Sequence, residues 1–276
     1  MRISVARSLA DGSKKAYMPF IETIYSGSSG NCTLVAGDGG VLLVDMGKST
    51  KQTLKLLYEQ HMAGKDIKGI LVTHEHSDHI SGLKTFLNHF DVPVYGLKAV
   101  LNELIFKGVA GQGNDLREIE DKKQFELLGL GITPFRTPHD SVDCCGYRFD
   151  ADTGAAAVAT DLGTVTESIY NQLRGCGTVI LESNYDRGML LTGPYPFQLK
   201  QRIMSSYGHL DNLDSSETIV KLVSEGTKNV VLAHLSDKNN TPSLARDTCR
   251  GMLDTYDLGG EVETASRYMP GRMIEF

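Results

Sequence analysis

The sequence predicts an α/β fold in which two mixed β-sheets pack face to face and helices cover their outer surfaces, an αββα sandwich. Strand-like runs alternate with helical patterns in both halves of the chain, and each half also holds a strand-rich stretch. No repeat, low-complexity tract or linker divides the chain, so we expect residues 1–276 to form a single domain. Apolar residues make up 41% of the sequence, which suits a folded protein with a sizeable core.

The first half opens with three strand-like runs and continues with alternating helices and strands. Glycine-rich turns, SGSSGN and GDGG, separate the first three runs. Apolar residues then recur at helical spacing in three segments, with short apolar runs between them. The predicted strands are 20–25, 33–36, 41–45, 69–72 and 92–95, and the predicted helices are 49–61, 81–90 and 97–107.

The second half begins with a meander of short strands and ends with helices and buried strands in alternation. Asp214 and Glu217 have capping-box spacing, which predicts a helix beginning at Asp214, and Gly226 is expected just beyond its end. The predicted strands are 125–128, 132–137, 146–149, 155–159, 178–181 and 230–233, and the predicted helices are 164–173, 198–205, 214–226 and 242–256.

Charge and cysteine content limit the function classes. A formal net charge of −6 argues against an extended basic surface that coats DNA nonspecifically, although a small basic groove for one strand end is compatible with it. The five cysteines form no Cys-x-x-Cys pair, a pattern that suits reduced thiols in the cytoplasm. The amino terminus, MRISVARSLADGSKKAY, lacks a signal-peptide core, and no apolar run approaches the about 18 residues of a membrane span. We therefore predict a cytoplasmic protein that does not contact membranes.

Residue types that bind metals are concentrated in the stretch VTHEHSDHISG, residues 72–82. A His-x-His pair alone is more often a solvated loop than a metal site. Here His74 and His76 are two residues apart on an extended segment, so their side chains point the same way and can reach one ion. Asp78 and His79 follow where the chain turns into a helix, and they can point at a second ion. Imidazole and carboxylate suit zinc, manganese and iron.

Three further metal-capable residues, His139, Asp161 and His234, each follow an apolar strand. Taken singly, each is as consistent with a surface or capping position as with a ligand. Because strand ends meet at the rim of a sheet, we expect the three to lie together there. Their joint placement predicts that they complete two coordination shells.

These residues together resemble the five-motif signature of the metallo-β-lactamase fold, over roughly residues 21–240. The resemblance implies two divalent ions, for which manganese, zinc and iron are all candidates. It also implies that Asp45, in LVDMG, orients a ligand imidazole from behind and that Asp78 takes part in catalysis. The implied ligands are His74, His76 and His139 for one ion, Asp78, His79 and His234 for the other, and Asp161 as the bridge.

Two ions about 3.5–4 Å apart lower the pKa of a shared water, whose hydroxide attacks the substrate, and this chemistry serves phosphodiesters, thioesters, lactones and β-lactams alike. The fold alone does not choose among these substrates. Exported β-lactamases of the commonest class carry a cysteine where Asp161 stands. Glyoxalase-type thioesterases usually have Gly-His-Thr around the third motif, where this chain has TPHD at 137–140. Both differences favour another reaction.

The segments ILESNY (180–185) and GHLDN (208–212) carry a second pair of candidate catalytic residues. A loop histidine is usually solvated. Glu182 nevertheless ends an apolar strand and could orient the imidazole of His209 toward the metals. A protonated imidazole held in this way can donate a proton to a poor leaving group such as a sugar alkoxide. We therefore predict that His209 is a general acid and that Glu182 orients it.

Six segments make a closer resemblance: SGSSGN, HEHSDHISG, ILESN, YPFQLKQRI, GHLDN and LAHLSDKNN. Together they resemble the YycJ/WalJ group within the RNase Z and RNase J nuclease branch. The resemblance implies a 5′→3′ exonuclease that acts on DNA 5′ ends, in DNA repair, with RNA as an alternative substrate. Tyr185 and Asp211 depart from that group, where histidine and serine are common. The segment between Asp161 and His234 is too short for the large inserted domain of RNase J-type enzymes.

The loop SGSSGN, residues 26–31, has two interpretations. It is a tight turn between strands, or its backbone N–H groups form a nest that binds a phosphate. The candidate phosphate-binding residues are Ser26, Ser28, Ser29 and Asn31. Candidate positive charges elsewhere in the chain are Arg187, Lys200 and Arg202.

The leading hypothesis is a dinuclear metallo-phosphodiesterase that degrades DNA from a 5′ end. Two other classes stay open. One is a small-molecule hydrolase of thioesters, lactones or cyclic phosphodiesters. The other is a metal-bound binding module without turnover, which the complete set of candidate ligands disfavours.

Overall fold

The computed structural model describes residues 18–111 and 113–276, and within these ranges it contains two seven-stranded sheets. The first sheet holds β1 (Phe20–Tyr25), β2 (Cys32–Gly37), β3 (Gly40–Val44), β4 (Ile67–Leu71), β5 (Val94–Leu97) and β6 (Leu116–Ile119). The second holds β7 (Phe125–Leu127), β8 (Leu130–Arg136), β9 (Cys145–Ala151), β10 (Gly154–Ala159), β11 (Thr178–Glu182), β12 (Asn229–Ala233) and β13 (Glu261–Thr264). A last strand, β14 (Ile274–Glu275), joins the first sheet beside β1.

Both sheets are mixed, as predicted. In the first, β1, β2 and β3 are antiparallel and β3 to β6 are parallel. In the second, β7 to β10 form the antiparallel meander and β10 to β13 are parallel. The helices are α1 (Thr50–Glu59), α2 (Ser77–Ile80), α3 (Leu83–Leu87), α4 (Lys98–Phe106), α5 (Glu167–Leu173), α6 (Arg187–Thr192), α7 (Phe197–Ile203), α8 (Asn212–Ser224) and α9 (Pro242–Thr255).

Two buried clusters produce the four layers and confirm the αββα prediction. Successive strand residues face opposite sides of a sheet. On β11, Ile180 faces the first sheet, whereas Val179 and Leu181 pack under α5, α8 and α9. On β12, Val231 faces the first sheet, whereas Val230 and Leu232 pack under the helices. Strands with apolar residues on both faces are expected in a sheet covered on both sides.

The predicted start of the helix near residue 214 was wrong. The helix α8 begins at Asn212, because Asp211 caps it by accepting hydrogen bonds from the backbone N–H groups of Leu213 (2.8 Å) and Asp214 (2.9 Å). Asp211 therefore supplies the cap one turn before the predicted capping box. Gly226 lies just past the helix with φ +111°, in the conformation expected at that position.

Other differences concern short elements. The predicted helix 81–90 is two short helices, α2 and α3, joined through Ser81 and Gly82. A Cβ at Gly82 would lie 2.1 Å from the carbonyl oxygen of Lys48, so a close approach of two backbones sets this junction. The strands β6, β13 and β14 and the helix α6 were not predicted.

The parallel strands of the second sheet end in register. Ala159, Leu181 and Leu232 are aligned across β10, β11 and β12. Polar residues that follow these strands therefore reach the same rim of the sheet. The residues at that rim are Asp161, Glu182 and His234.

Within residues 18–111 and 113–276, no helix is long and apolar enough to cross a membrane. The prediction that the amino terminus lacks a signal peptide falls on residues 1–17, outside the described residues. All five cysteines are free and buried, and burial raises the pKa of the Cys176 and Cys249 thiols to about 11. Such thiols stay protonated at neutral pH, which makes them poor nucleophiles.

Candidate functional site

The structure brings the seven predicted ligands together at one rim of the sandwich. Their donor atoms form overlapping groups in which every atom lies within 4.8 Å of the others. One group is His74, His76 and His139; another is Asp78, His79 and His234; a third, His74, His79 and Asp161, connects them. These groups have the same members as the two sets and the bridge that the resemblance implies, and the roles of the residues as ligands stay predictions.

The candidate ligands come from the ends of strands in both sheets. His74 follows β4, and the next residues cap and begin α2, which carries Asp78 and His79 in its first turn. From the second sheet, His139 follows β8 and His234 follows β12. The site therefore lies where the rims of the two sheets meet.

Asp161 lies between the two groups. Its Oδ1 is 3.7 Å from His139 Nε2 and 3.4 Å from His234 Nδ1, and its Oδ2 is 3.2 Å from His79 Nε2. Imidazoles of both groups thus border the same buried carboxylate. Asp161 also has φ +58°, a left-handed conformation that is uncommon for a residue other than glycine.

Asp45 and His234 share this unusual backbone, with φ of +64° and +54°. Left-handed conformations in non-glycine residues cost about 1–3 kcal/mol each and persist only where surrounding contacts enforce them. Three such residues in one site indicate that the surrounding contacts hold these side chains in place at a cost in local stability.

Outer hydrogen bonds orient four of the five candidate ligand imidazoles. His79 Nδ1 lies 2.7 Å from Asp45 Oδ2, and His234 Nδ1 lies 2.8 Å from Glu182 Oε1. His139 Nδ1 lies 3.1 Å from the carbonyl oxygen of Gly208. His74 Nδ1 lies 3.0 Å from the hydroxyl of Thr73. In each case Nδ1–H can donate outward, which leaves Nε2 free to face the centre.

Two atoms at the centre test whether the residues fit a metal. His74 Nε2 and Asp161 Oδ2 are buried and have no hydrogen-bond partner among the described residues. Oδ2 does lie 3.2 Å from His79 Nε2, but in a contact without hydrogen-bond geometry. A buried polar atom without a partner costs about 1–3 kcal/mol. Divalent cations are bound by such imidazole nitrogens and carboxylate oxygens, so the donor set fits a metal centre.

Burial and neighbouring charges divide the imidazoles into two kinds. Burial lowers the pKa of His74 and, to a smaller degree, of His76, so both are neutral and able to bind a metal. Burial acts in the same direction on His79 and His234, but neighbouring carboxylates outweigh it. Asp161 and Asp45 raise the pKa of His79, and Asp161, Asp78 and Glu182 raise that of His234 to about 10. Metal binding at these two residues must release protons.

The Asp45 carboxylate contacts Thr73 and His79, which lie before and after His74 in the sequence. Besides His79, it accepts hydrogen bonds from the backbone N–H of Thr73 (2.8 Å) and from the Thr73 hydroxyl (2.8 Å). The same hydroxyl can accept from His74. Thr73 thus links two candidate ligands, a contact that the sequence did not suggest because threonine is common near strand ends.

Glu182 and His209 are in contact, as the sequence predicted they could be. His209 Nδ1 lies 2.8 Å from Glu182 Oε1, the atom that also faces His234 Nδ1. Glu182 Oε2 accepts hydrogen bonds from the backbone N–H groups of Leu162 (2.9 Å) and Leu210 (3.2 Å). Burial opposes the charged form of His209, but the Glu182 carboxylate outweighs it and raises the pKa of His209.

A cavity of about 290 Å³ opens on this centre. Part of its lining is polar and belongs to the candidate ligands, to His209 and to nearby loop residues. Another part comes from α7 and the loop before it. Besides the candidate ligands, the lining includes Ser28, Asp140, Asn184, Tyr195, Leu199, Arg202, Ile203, His209 and Ser236.

The loop 26–31 divides into inward and outward residues. Ser26 and Asn31 are buried and bond to each other (3.0 Å), and the Ser26 hydroxyl also accepts from the backbone N–H of His234 (2.9 Å). The Asn31 amide lies 3.1 Å from His79 Nε2. Ser26 and Asn31 therefore make internal contacts, whereas Ser28 and Ser29 are exposed and Ser28 lines the cavity. Of the four candidate phosphate-binding residues, Ser28 and Ser29 are therefore the two whose exposure allows contact with a phosphate.

Residues 25–234 match the Metallo-beta-lactamase superfamily. The chain belongs to the metallo-beta-lactamase superfamily. It is therefore a metallo-hydrolase, and its fold is one that binds divalent metal ions. The structure has a histidine–aspartate cluster whose donor atoms could hold such ions.

Two bacterial relatives are similar to this chain over most of its length. Exodeoxyribonuclease YycJ of Bacillus anthracis is 35% identical over 236 residues, which is 85% of this chain and 89% of the relative. Exodeoxyribonuclease WalJ of Streptococcus pneumoniae serotype 2 is 34% identical over 242 residues, 86% of this chain and 89% of the relative. The resemblance to the YycJ/WalJ group is confirmed.

A solved structure agrees on the fold. The Zn(2+)-bound PqqB of Methylobacterium extorquens is 16% identical and has a TM-score of 0.70, over 92% of this chain and 99% of that one. At this identity the likeness concerns the fold.

The two departures from the YycJ/WalJ pattern contact each other. Tyr185 and Asp211 form an isolated bridge between their backbones, and both are buried. Asp211 caps α8, a role that the serine common in the group can also perform. The carboxylate additionally pairs with Arg187. Of the three predicted cations, Arg202 lines the cavity, whereas the Lys200 ammonium donates to the carbonyl oxygen of Leu191.

Proposed function

We propose that this protein is a dinuclear metal-dependent phosphodiesterase that removes nucleotides from the 5′ ends of DNA. The observation that carries the proposal is His209. It contacts Glu182 and lines the cavity, and its donor atom groups with those of Asp161, Glu182 and His234. It belongs neither to the set His74, His76 and His139 nor to the set Asp78, His79 and His234, which would hold the two metals. A superfamily member that hydrolyses activated small molecules has little need for such a proton donor. A phosphodiester needs one, because its leaving sugar oxygen is a poor leaving group.

In this proposal the seven candidate ligands hold two divalent ions. His74, His76 and His139 would bind one ion, Asp78, His79 and His234 the other, and Asp161 would lie between them. Such ions supply a nucleophile at neutral pH and polarise the phosphoryl oxygens. Manganese, zinc and iron all suit this ligand set.

The protein's own groups would then handle the leaving group. Glu182 fixes the imidazole of His209 through Nδ1, so Nε2 is the atom that carries the proton toward the substrate. The Glu182 carboxylate raises the pKa of His209 and so favours the protonated imidazole that carries this proton. When the P–O bond breaks, Nε2–H donates to the departing sugar oxygen. Asp78 is partly exposed at the edge of the proposed metal centre and would lie beside the attacked phosphate.

Two further observations support DNA as the substrate and the cytoplasm as the setting. The relatives YycJ and WalJ are named exodeoxyribonucleases. The five free, buried cysteines suit a reducing compartment. Removal of nucleotides from 5′ ends is a step that DNA repair requires, and we extend the proposal to that process. RNA is the alternative nucleic-acid substrate.

The test uses duplex DNA labelled at the 5′ or the 3′ end, with protein stripped of metal and then reloaded with manganese or zinc. We expect the 5′ label to appear at once as a mononucleotide, and the 3′ label to shorten gradually. Asp161→Asn should abolish cleavage and lower metal content, since it removes the central carboxylate charge. Asparagine tolerates the left-handed backbone at this position, so the fold should persist.

Other outcomes would decide between the remaining classes. Turnover of a thioester or lactone without turnover of DNA would replace the proposal with a small-molecule hydrolase. Metal binding without any turnover would indicate a binding module. Full DNA cleavage by Asp161→Asn would refute the assigned site.

A further inference from the structure

The helix α7 forms part of the cavity although it contributes nothing to the core. None of its seven residues, all of them described, is buried. Helices in proteins usually owe their stability to packing of an apolar face. In α7 the residues Leu199, Arg202 and Ile203 have i, i+3, i+4 spacing and lie on one face, and all three line the cavity. Tyr195, two residues before the helix, lines the cavity as well. We call these four residues the α7 wall.

The α7 wall is largely apolar, and its one charged side chain is paired. Of the described side chains that line the cavity, Arg202 is the only lysine or arginine. Its guanidinium pairs with Asp140, the residue next to His139. A neutralised pair offers little net attraction to a phosphate, so this part of the cavity suits an uncharged group. The remaining contacts are supplied by the ring of Tyr195 and by two aliphatic side chains.

Backbone contacts hold the wall beside the proposed acid. The backbone N–H of His209 donates to the carbonyl oxygen of Ile203 (2.9 Å). A Cβ at Gly208 would lie 2.2 Å from that same oxygen, so only glycine allows this approach. In the middle of α7, the Lys200 ammonium donates to the carbonyl oxygen of Leu191 (2.7 Å) and so connects α7 to the end of α6. The distance between wall and acid is therefore fixed by the main chain.

The size of the cavity limits what the wall can take. Its about 290 Å³ is at the lower end of the about 300–1,000 Å³ typical of ligand sites, which favours a single terminal group over a continuous strand. A terminal nucleotide has an uncharged, planar aromatic base and is joined on its 3′ side to the charged phosphodiester that would be cleaved. The cavity has a polar part at the metal centre and an apolar part at α7, and the two parts match these two halves.

We propose that the α7 wall binds the nucleobase of the terminal nucleotide, which stacks on Tyr195 and contacts Leu199 and Ile203. This inference rests on the proposed function for its substrate. Stacking and apolar contact accept every base, so the wall would recognise a nucleotide without reading its sequence. It would also hold the 3′ oxygen of that nucleotide, which is the leaving oxygen of the attacked phosphodiester, close to His209.

The first experiment compares two DNA substrates, one normal and one whose 5′-terminal residue lacks its base. Stacking of a base is worth about 5- to 150-fold in an equilibrium or rate ratio. We expect wild-type kcat/KM to favour the normal substrate by a factor in that range and Tyr195→Ala to remove most of the preference. Tyr256→Ala is the matched control, because Tyr256 is 63% exposed at the end of α9 and does not line the cavity.

A second experiment requires no turnover. Calorimetry would compare binding of 2′-deoxyadenosine 3′-monophosphate with binding of 2-deoxyribose 3-phosphate to the metal-loaded protein. Wild type and Tyr256→Ala should bind the nucleotide more tightly, and Tyr195→Ala should bind the two alike. Equal binding of both ligands by wild type, or a preference that survives Tyr195→Ala, would overturn the proposal. Absence of DNA cleavage by wild type would refute the exonuclease function separately, since this binding comparison stands without it.

Discussion

Asp45 and Glu182 are two buried carboxylates that hold imidazoles from opposite sheets of the sandwich. Asp45 follows β3 in the first sheet and holds one imidazole, that of His79. Glu182 ends β11 in the second sheet and holds two, those of His209 and His234. Both carboxylates are almost fully buried, and both also accept two hydrogen bonds from other groups of the chain.

The number of imidazoles changes the electrostatics. For Asp45, burial outweighs the single imidazole and raises the pKa of the carboxyl. For Glu182, burial acts in the same direction, but His209 and His234 together outweigh it and lower the pKa. Asp45 therefore acts on one candidate ligand alone, whereas Glu182 joins a candidate ligand to the proposed acid. In the proposed mechanism the two sheets contribute unequally: the first would support metal binding, and the second would couple metal binding to proton donation.

The largest effect is expected from Glu182→Gln. Glu182 accepts on both oxygens, so the NH₂ group of a glutamine must face either two imidazole N–H groups or two backbone N–H groups. If it faces the rings, His234 and His209 change tautomer and present a protonated Nε2, which cannot bind a metal. DNA cleavage should fall by more than the about 10²–10⁴-fold of a lost general acid. Steady-state kinetics and metal analysis measure the two losses.

Glu182→Asp is a useful companion to this variant, because it keeps the charge and shortens the reach. It should retain more metal than Glu182→Gln while still losing contact with His209. If Glu182→Gln retains both metals and loses no activity, the coupling assigned to Glu182 is wrong.

A smaller effect is expected from Asp45→Asn. The substitution weakens the hydrogen bond to His79, and loss of such an outer partner lowers metal affinity by about 10–100-fold. Titration with zinc in the presence of a competing chelator would measure this loss. At saturating metal, the ratio of DNA cleavage to bis-p-nitrophenyl phosphate cleavage should equal that of wild type, since Asp45 does not contact His209. Identical titration curves for mutant and wild type would contradict the role given to Asp45.

Most of the metal centre could be anticipated because its residues follow apolar strands. Asp45, Asp161, Glu182 and His234 stand at the ends of parallel strands, whose pairing brings these ends together. His139 follows β8, which is antiparallel to its neighbours. Residue type then narrows the chemistry, since imidazoles and carboxylates are costly to bury without a purpose. The roles of these residues as ligands and acid stay predictions until metal binding and activity are measured.

The rest depends on contacts between distant segments. Asn31 turns inward to His79, and the α7 wall faces the cavity, because of how loops and helices pack, which local sequence patterns do not encode. Edge strands such as β6 and β14 are short and lack a clear alternating pattern, so periodicity did not reveal them. The start of α8 was misplaced because two aspartates, Asp211 and Asp214, both precede a helical pattern and only one makes the cap.

The measurement that tests the central claim most directly is the effect of His209→Ala on two substrates with different leaving groups. A general acid matters most when the leaving group is poor. DNA cleavage should therefore slow by about 10²–10⁴-fold, while bis-p-nitrophenyl phosphate, whose p-nitrophenolate leaves without help, should slow far less. Metal content should match wild type. An equal loss on both substrates would show that His209 positions the phosphate and does not donate a proton, and no loss on either would remove the main support for a nuclease.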